Sequence, residues 1–214
     1  MAGTITSIEV QQRNRRRVNV FLDGDFAFAL SLEVATQANL RRDLALSDSV
    51  IAELKSEDTQ QKTYDAVLNF LSFRPRSEDE VRRYLNRRQA PPELADRLVA
   101  RLTKSGLLDD EAFTRFWVEN RETFSPRSSR ALRSELRSKG IDDSTIAASI
   151  PNDDGSAAYE AATKKAHRLA SADRETFRRK LLGFLQRRGF SYDVARETVD
   201  RVWREIGETS RIEK

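Results

Sequence analysis

The feature of this 214-residue sequence that most constrains its fold is a helical pattern that recurs about every fifty residues. A shift of 51 positions places RPRS at residues 74–77 on SPRS at residues 125–128. The apolar pairs that follow recur with that shift and then with one of 49: Val81 with Leu85, Leu132 with Leu136, and Leu181 with Leu185. Each pair has the spacing of one face of an α-helix. A period of this length is typical of tandem helical units that stack and share a core.

Turn and capping signals divide each unit into about three helices. Ser77 and Glu80 fit a capping box, in which a hydroxyl and a carboxylate satisfy the first amides of a helix. The Pro91-Pro92 pair suits the first turn of a helix, where a missing N–H costs little. Gly140 and Gly189 stand where a helix has to end in the left-handed conformation, which glycine adopts most easily.

The first quarter of the chain carries a period of two instead. Apolar residues alternate on both sides of the Asp23-Gly24 pair: Val18, Val20 and Leu22, then Phe26, Phe28 and Leu30. The pair suits a type I′ turn, so we expect a β-hairpin. Ile8 and Val10 suggest a third strand, and the intervening RNRRR segment would form an exposed basic turn. Ser31 and Ser47 are placed to cap two short helices.

These patterns predict a mainly α fold in which a small N-terminal sheet with short helices precedes three tandem three-helix repeats. Stacking of the repeats predicts an elongated, curved array. The polar segment KSEDTQQK, residues 55–62, is interpreted as the join, although it could itself begin a helix. The predicted domains cover residues 1–56, 57–108, 109–153 and 154–214.

Composition excludes several classes of function. No long uncharged apolar run could form a transmembrane helix, and the N-terminus lacks the pattern of a secretory signal, so a cytoplasmic location is expected. The absence of cysteine removes disulfides, thiolate catalysis and cysteine-ligated zinc. His167 is the single histidine, which leaves no second imidazole for a metal site. We therefore expect no metal and no cofactor.

The segment GLLDDEAFTRFWVENR, residues 106–121, could be mistaken for an active site because it contains three adjacent carboxylates. Asp109 stands at a helix N-cap with Asp110 and Glu111 in the first turn, where the helix dipole favours negative charge. The sequence supplies no partner residues for acid–base chemistry. We therefore interpret the carboxylates as capping residues and expect no catalytic site.

The positive charge lies in the helical part. Residues 1–60 contain seven Lys/Arg and nine Asp/Glu, whereas the whole chain has a net charge of +4. Helical periodicity places basic side chains opposite the buried leucines in each copy, which predicts a basic ribbon suited to a phosphate backbone or an acidic groove. The predicted partner-binding residues are Arg76, Arg82, Arg83, Arg87, Arg127, Arg130, Arg133, Arg137, Lys139, Arg179, Lys180 and Arg187.

Three segments together resemble the signature segments of the RecX family of bacterial recombinase regulators: RPRSEDEVRRYL, GLLDDEAFTRFWVENR and SPRSSRALRSELRSKGI. The resemblance spans roughly residues 59–206, and the third copy departs most because ADRETFRRKLLGFLQRRGF replaces the RPRS-type entry. It implies tandem three-helix repeats that bind the RecA recombinase and its DNA filament. It further implies inhibition of ATP hydrolysis, filament growth and strand exchange, with effects on recombination and the SOS response.

Several alternatives stay open at this point. The basic faces could contact single- or double-stranded DNA without sequence preference, or the recombinase itself; a monomer is expected. Three-helix units also suit a helix-turn-helix transcription factor, which would prefer one duplex sequence. An enzyme such as a nuclease is disfavoured, because the chain has no phosphate-binding loop of the GxxxxGK[ST] type.

Overall fold

A computed structural model describes residues 2–150, 153–169 and 171–212, with side chains up to residue 206. The described chain is mainly helical, as the sequence predicted. Contacts divide it into two compact units. The first unit contains residues 1–74 and 82–102, and the second contains residues 75–81 and 103–214.

The first unit begins with an antiparallel sheet. Its strands are β1 (Gly3–Val10), β2 (Arg17–Leu22), β3 (Asp25–Ser31) and β4 (Ala45–Leu46), in the order β3-β2-β1-β4. The three predicted strands are confirmed, and β4 is an addition that pairs with Gly3 and Thr4. A strand of two residues is too short to show the alternation by which a sequence indicates a strand.

The predicted hairpin turn is confirmed by its backbone. Asp23 and Gly24 have φ angles of 50° and 98°, and a type I′ turn requires positive φ at both positions. One member of the alternating apolar set, Phe26, is 59% exposed. The register of β2 and β3 shifts between Val20 and Phe21, so Phe26 opposes Phe21 and packs edge-on against it at 5.9 Å between ring centroids.

Two helices follow the sheet, α1 (Leu32–Gln37) and α2 (Asp48–Ser72). Ser31 and Ser47 cap them as predicted, since each hydroxyl accepts the backbone N–H three residues on. The prediction of a short second helix was wrong: α2 has 25 residues and runs through the segment interpreted as a join. That segment contains good helix formers and neither glycine nor proline. The predicted boundary at residue 56 therefore lies inside a helix.

Asp58 ties α2 to the sheet. It is 3% exposed, accepts the Ser31 N–H at 2.6 Å, and forms ion pairs with Lys62 at 2.8 Å and Arg17 at 3.3 Å. Burial alone would raise the pKa of Asp58, but the hydrogen bonds from Lys62, Ser31 and Arg17 outweigh it and hold the pKa below its usual value. Arg17, expected in an exposed basic turn, is therefore a half-buried anchor of this helix.

The rest of the chain forms the predicted tandem three-helix repeats. The first repeat combines the end of α2 with α3 (Glu78–Arg87) and α4 (Pro92–Lys104). The second comprises α5 (Asp110–Phe124), α6 (Ser129–Ser138) and α7 (Asp143–Ser149). The third comprises α8 (Asp154–Ala166), a 3-10 turn at His167–Leu169, α9 (Arg174–Arg187) and α10 (Tyr192–Ile212).

Each of the last two repeats has its own core. Leu132 and Leu136 lie with Phe113 in the second, and Leu181 and Leu185 lie in the third. The leucines that revealed the repeat are thus buried because they mark the inner face of each middle helix. Trp117 and Trp203 pack at the edges of these two cores.

Candidate binding surfaces and the joints that place them

The middle helices α3, α6 and α9 carry the predicted basic faces. The side chains that lie exposed are Arg82, Arg83, Arg87, Arg130, Arg137, Arg179, Lys180 and Arg187. Those that lie half-buried are Arg76, Arg127, Arg133 and Lys139. Among the exposed arginines, Arg82 pairs with Asp96 at 2.6 Å and Arg137 pairs with Asp143 at 2.7 Å. The binding role of all twelve residues stays a prediction.

Lys139 is engaged inside the second unit. Its Nζ lies 2.6 Å from Glu80 Oε1 and 5.0 Å from the centre of the Trp117 ring. Glu80 thus meets a cation from α6, while its backbone N–H binds the Ser77 hydroxyl at 3.2 Å, as in the predicted cap. This ion pair, one-quarter exposed or less on both sides, holds residues 77–80 beside Lys139 within the second unit.

Glu135 interacts with a second group of side chains, which includes two arginines. Its Oε2 accepts hydrogen bonds from Trp117 Nε1 at 2.9 Å and from Arg121 Nε at 2.8 Å. Arg127 Nε lies 2.9 Å from Oε1, which is ion-pair distance, although its N–H does not point at the oxygen closely enough for a hydrogen bond. One carboxylate therefore balances two arginines at the start and side of α6.

A close contact, here called the Gly140 joint, joins residues 77–80 to residues 139–140. Ser77 is fully buried, and its hydroxyl donates to the Lys139 carbonyl at 2.7 Å. Gly140 has a φ of 79°, and a Cβ added there would overlap the Cβ of Asp79 and lie 3.0 Å from its Cγ. Glycine is thus needed both for the left-handed backbone and for the close approach.

The same contact recurs one repeat later as the Gly189 joint, between residues 125–131 and residues 188–189. The N–H of Ser128, which is also fully buried, donates to the Arg188 carbonyl at 3.1 Å. The Arg188 guanidinium donates to Ser125 Oγ at 3.0 Å and to the Pro126 carbonyl at 2.9 Å. A Cβ on Gly189 would lie 2.6 Å from Ser128 Oγ. The RPRS and SPRS motifs therefore recur because their serines occupy equivalent joints.

Two of the acidic residues at helix starts cap a neighbouring helix. Asp109 caps its own helix, as predicted, by accepting the Ala112 N–H at 2.9 Å. Asp110 instead accepts the Glu78 N–H at the start of α3 at 2.8 Å, and Asp154 accepts the Ser129 N–H at the start of α6 at 2.6 Å. Burial raises the pKa of Asp110 above its usual value. The carboxylates of this segment therefore hold helices in place, which agrees with their interpretation as caps.

A second basic region, absent from the predicted residues, lies beside the Gly189 joint. It is a cavity of about 220 Å³ lined by Phe124, Pro126, Ala161, Lys164, Lys165, Arg168, Phe184 and Arg188. Sequence reasoning missed it because its cations come from α8, the 3-10 turn and the end of α9 rather than from one helix face. The 51-residue shift places Phe73 on Phe124, and the structure shows both rings exposed, by 74% and 75%.

Other kinds of site lack structural support in the described ranges. There, no three acidic, histidine or cysteine side chains gather as a metal site would require. Every helix that the structure describes is too short or too polar to cross a bilayer.

Comparison with family models matches four successive segments. The description "Regulatory protein RecX N-terminal domain" matches residues 3–47. The descriptions of the first, second and third RecX three-helix domains match residues 64–102, 109–150 and 153–199. The matched segments follow the same order as the sheet and the three helical repeats.

Curated proteins and a solved structure agree with these matches. "Regulatory protein RecX" of Bacillus subtilis (strain 168) is 31% identical over 202 residues, which cover 92% of this chain and 76% of that protein. The protein of the same name from Listeria monocytogenes (strain ATCC BAA-679 / EGD-e) is 28% identical over 206 residues, covering 94% and 77%. A crystal structure described as regulatory protein RecX superposes with a TM-score of 0.68 at 28% identity, covering 94% of this chain and all of that one. The chain therefore belongs to the RecX family of regulatory proteins.

Proposed function

We propose that this protein binds the RecA recombinase and its DNA filament and inhibits ATP hydrolysis, filament growth and strand exchange. It would thereby modulate recombination and the SOS response. The observation that carries the proposal is the match to relatives named as regulatory proteins over more than nine-tenths of the chain. The protein acts in this proposal by binding alone, with no chemistry of its own.

The exposed faces of the middle helices support the proposal on physical grounds. Arg179 and Lys180 lie adjacent on α9, and Arg130 lies on α6, all exposed to solvent. Arginine binds both carboxylates and phosphates through its planar guanidinium, so such faces suit a filament that presents protein and nucleic acid together. Contacts of this kind read backbone charge rather than base sequence.

The proposal is tested by measuring DNA-dependent ATP hydrolysis by RecA at increasing concentrations of this protein. We expect hydrolysis to fall at near-stoichiometric protein and filaments to shorten in electron micrographs. Unchanged hydrolysis and filament length at saturating protein would reject the proposal. Repeating the titration in about 50 and about 200 mM salt separates the contacts, because phosphate contacts weaken by orders of magnitude over this range.

A charge-reversal pair locates the surface. Arg179→Glu with Lys180→Glu should raise the concentration needed for half-inhibition severalfold, because two exposed cations are replaced by anions. Arg41→Glu with Arg42→Glu is the matched control, since these arginines are also adjacent and exposed but lie in the first unit outside the middle helices. Equal effects of the two pairs would indicate that net charge alone matters and would remove the middle helices from the binding surface.

A further inference from the structure

The basic cavity beside the Gly189 joint, defined above by its eight lining residues, lies within the second unit. Two of its four cations are hydrogen-bonded to other parts of the protein. Lys164 Nζ donates to the Thr123 carbonyl at 2.7 Å, and Arg188 is fixed by its two hydrogen bonds to the SPRS segment. Arg188 also lies over the Phe184 ring at 4.6 Å, and Lys165 over the same ring at 5.9 Å. The cavity wall therefore combines ordered positive charge with an aromatic floor.

The charge in this cavity lacks internal neutralisation. Within the described part of the chain, Lys164, Lys165, Arg168 and Arg188 have no carboxylate within 4.0 Å. Burial lowers the pKa of Arg188, and the neighbouring guanidinium groups of Arg127 and Arg121 lower it further. A lowered arginine pKa means that its surroundings disfavour the positive charge. An anion bound there would relieve that repulsion.

Comparison with the Gly140 joint shows how the imbalance arises. The shift of 51 places Glu80 on Ala131. The carboxylate that pairs with Lys139 at the Gly140 joint is thus replaced by an uncharged residue at the Gly189 joint. The cation is retained, because Lys139 becomes Arg188. The second joint therefore keeps a positive charge that the first joint balances internally.

An exposed aromatic ring stands at the edge of the same cavity. Phe124 ends α5, is 75% exposed and lines the cavity beside Lys164 and Arg168. An exposed apolar ring beside cations suits a ligand that carries a planar base and a phosphate. Proteins that bind single strands without sequence preference combine a basic groove with stacking side chains.

We propose that this cavity binds single-stranded nucleic acid, with one backbone phosphate among Lys164, Lys165, Arg168 and Arg188 and one base stacked on Phe124. The inference deepens the proposed function, on which it rests for a nucleic-acid partner, and assigns that partner a defined place. An acidic protein segment would supply the charge but would leave the Phe124 ring without a planar partner. The single strand is therefore the better match to the two kinds of side chain.

The test measures binding of the full chain to a fluorescein-labelled oligothymidylate by anisotropy, with no recombinase present. Phe124→Ala should weaken binding about tenfold, within the range for loss of one base–aromatic stack. Lys165→Gln with Arg168→Gln should also weaken binding and should lower the slope of log affinity against log salt by at most about 0.7, the contribution of one phosphate of a single strand.

Matched controls separate the cavity from general effects. Phe73→Ala removes a ring of equal exposure at the equivalent repeat position, and Arg41→Gln with Arg42→Gln removes two exposed charges in the first unit. Both controls should bind like the unaltered chain. Helical circular dichroism of every variant should be unchanged, because the altered side chains are exposed or line an open cavity.

Two outcomes would overturn the proposal. One is unaltered affinity and salt slope for both cavity variants. The other is that the unaltered chain binds a polyglutamate peptide tightly, and that both cavity variants weaken this binding but leave the affinity for oligothymidylate unchanged. Because the assay contains no recombinase, its result is independent of the ATP hydrolysis assay. Failure to inhibit RecA would reject the proposed function. Normal oligothymidylate binding by the cavity variants would reject the cavity as the binding site.

Discussion

Replacement of Gly140 by alanine tests whether the Gly140 joint holds the second unit together. The substitution adds one methyl group at a residue with a φ of 79° that faces Asp79 closely. Gly106 provides a matched comparison in the same unit. Its φ is 69°, but a Cβ added there would meet no heavy atom within 4 Å. The two substitutions therefore share the backbone strain and differ in the steric overlap.

The expected magnitudes follow from this difference. A left-handed alanine costs about 1–2 kcal/mol relative to glycine, and overpacking of a tight contact adds about 1–3 kcal/mol. Alanine also restricts the unfolded chain, but that effect is the same at both sites and cancels in the comparison. Gly106→Ala should thus lower the free energy of unfolding by about 1–2 kcal/mol and Gly140→Ala by about 2–5 kcal/mol.

Trp117 offers a local probe for the measurement. Lys139 lies 5.0 Å above its ring, next to Gly140, so loosening of the joint should change its fluorescence. Urea unfolding would be followed in a Trp203→Phe background, in which Trp117 is the single tryptophan, with circular dichroism as a second probe. Equal destabilisation by the two alanine substitutions would refute the reasoning, because it would show that the Gly140 contact adds nothing to the backbone strain.

Two further predictions concern Asp110, which is half-buried, and Asp58, which is buried. Asp110→Ala should destabilise the second unit by about 1–2 kcal/mol because the Glu78 N–H loses its acceptor. Asp110→Asn should cost less because an amide oxygen can still accept that hydrogen bond. Equal losses of stability in urea unfolding would contradict this prediction. The folded-state pKa of Asp58 is lowered, so its stabilisation is present above the ordinary aspartate pKa of about 4 and is lost as pH falls through the folded value. The stability difference between the unaltered chain and Asp58→Asn should therefore shrink below about pH 4, and a difference constant from pH 3 to pH 7 would be evidence against the ion cluster.

Much of the fold could be predicted from the sequence because the patterns that indicate it are local. Leucine spacing indicated the middle helices, Ser31, Ser47 and Asp109 indicated helix starts, and positive φ at Gly140 and Gly189 was foreseen from their place after a helix. Each signal depends on interactions within a few residues of the chain. Such interactions act in any chain segment of that sequence, so the sequence alone determined the helix starts, the hairpin turn and the repeat.

Contacts between distant residues were decided only by the tertiary structure. Lys139 reaches Glu80 across 59 positions, Arg188 reaches Ser125 across 63, and Asp58 anchors Arg17 across 41. Helical periodicity shows which side of a helix a cation lies on, but not whether a carboxylate from another helix faces it. The sequence therefore determined that the middle helices are basic, whereas the packing at the two glycine joints decided which cations are neutralised within the protein and which surround the cavity near Phe124.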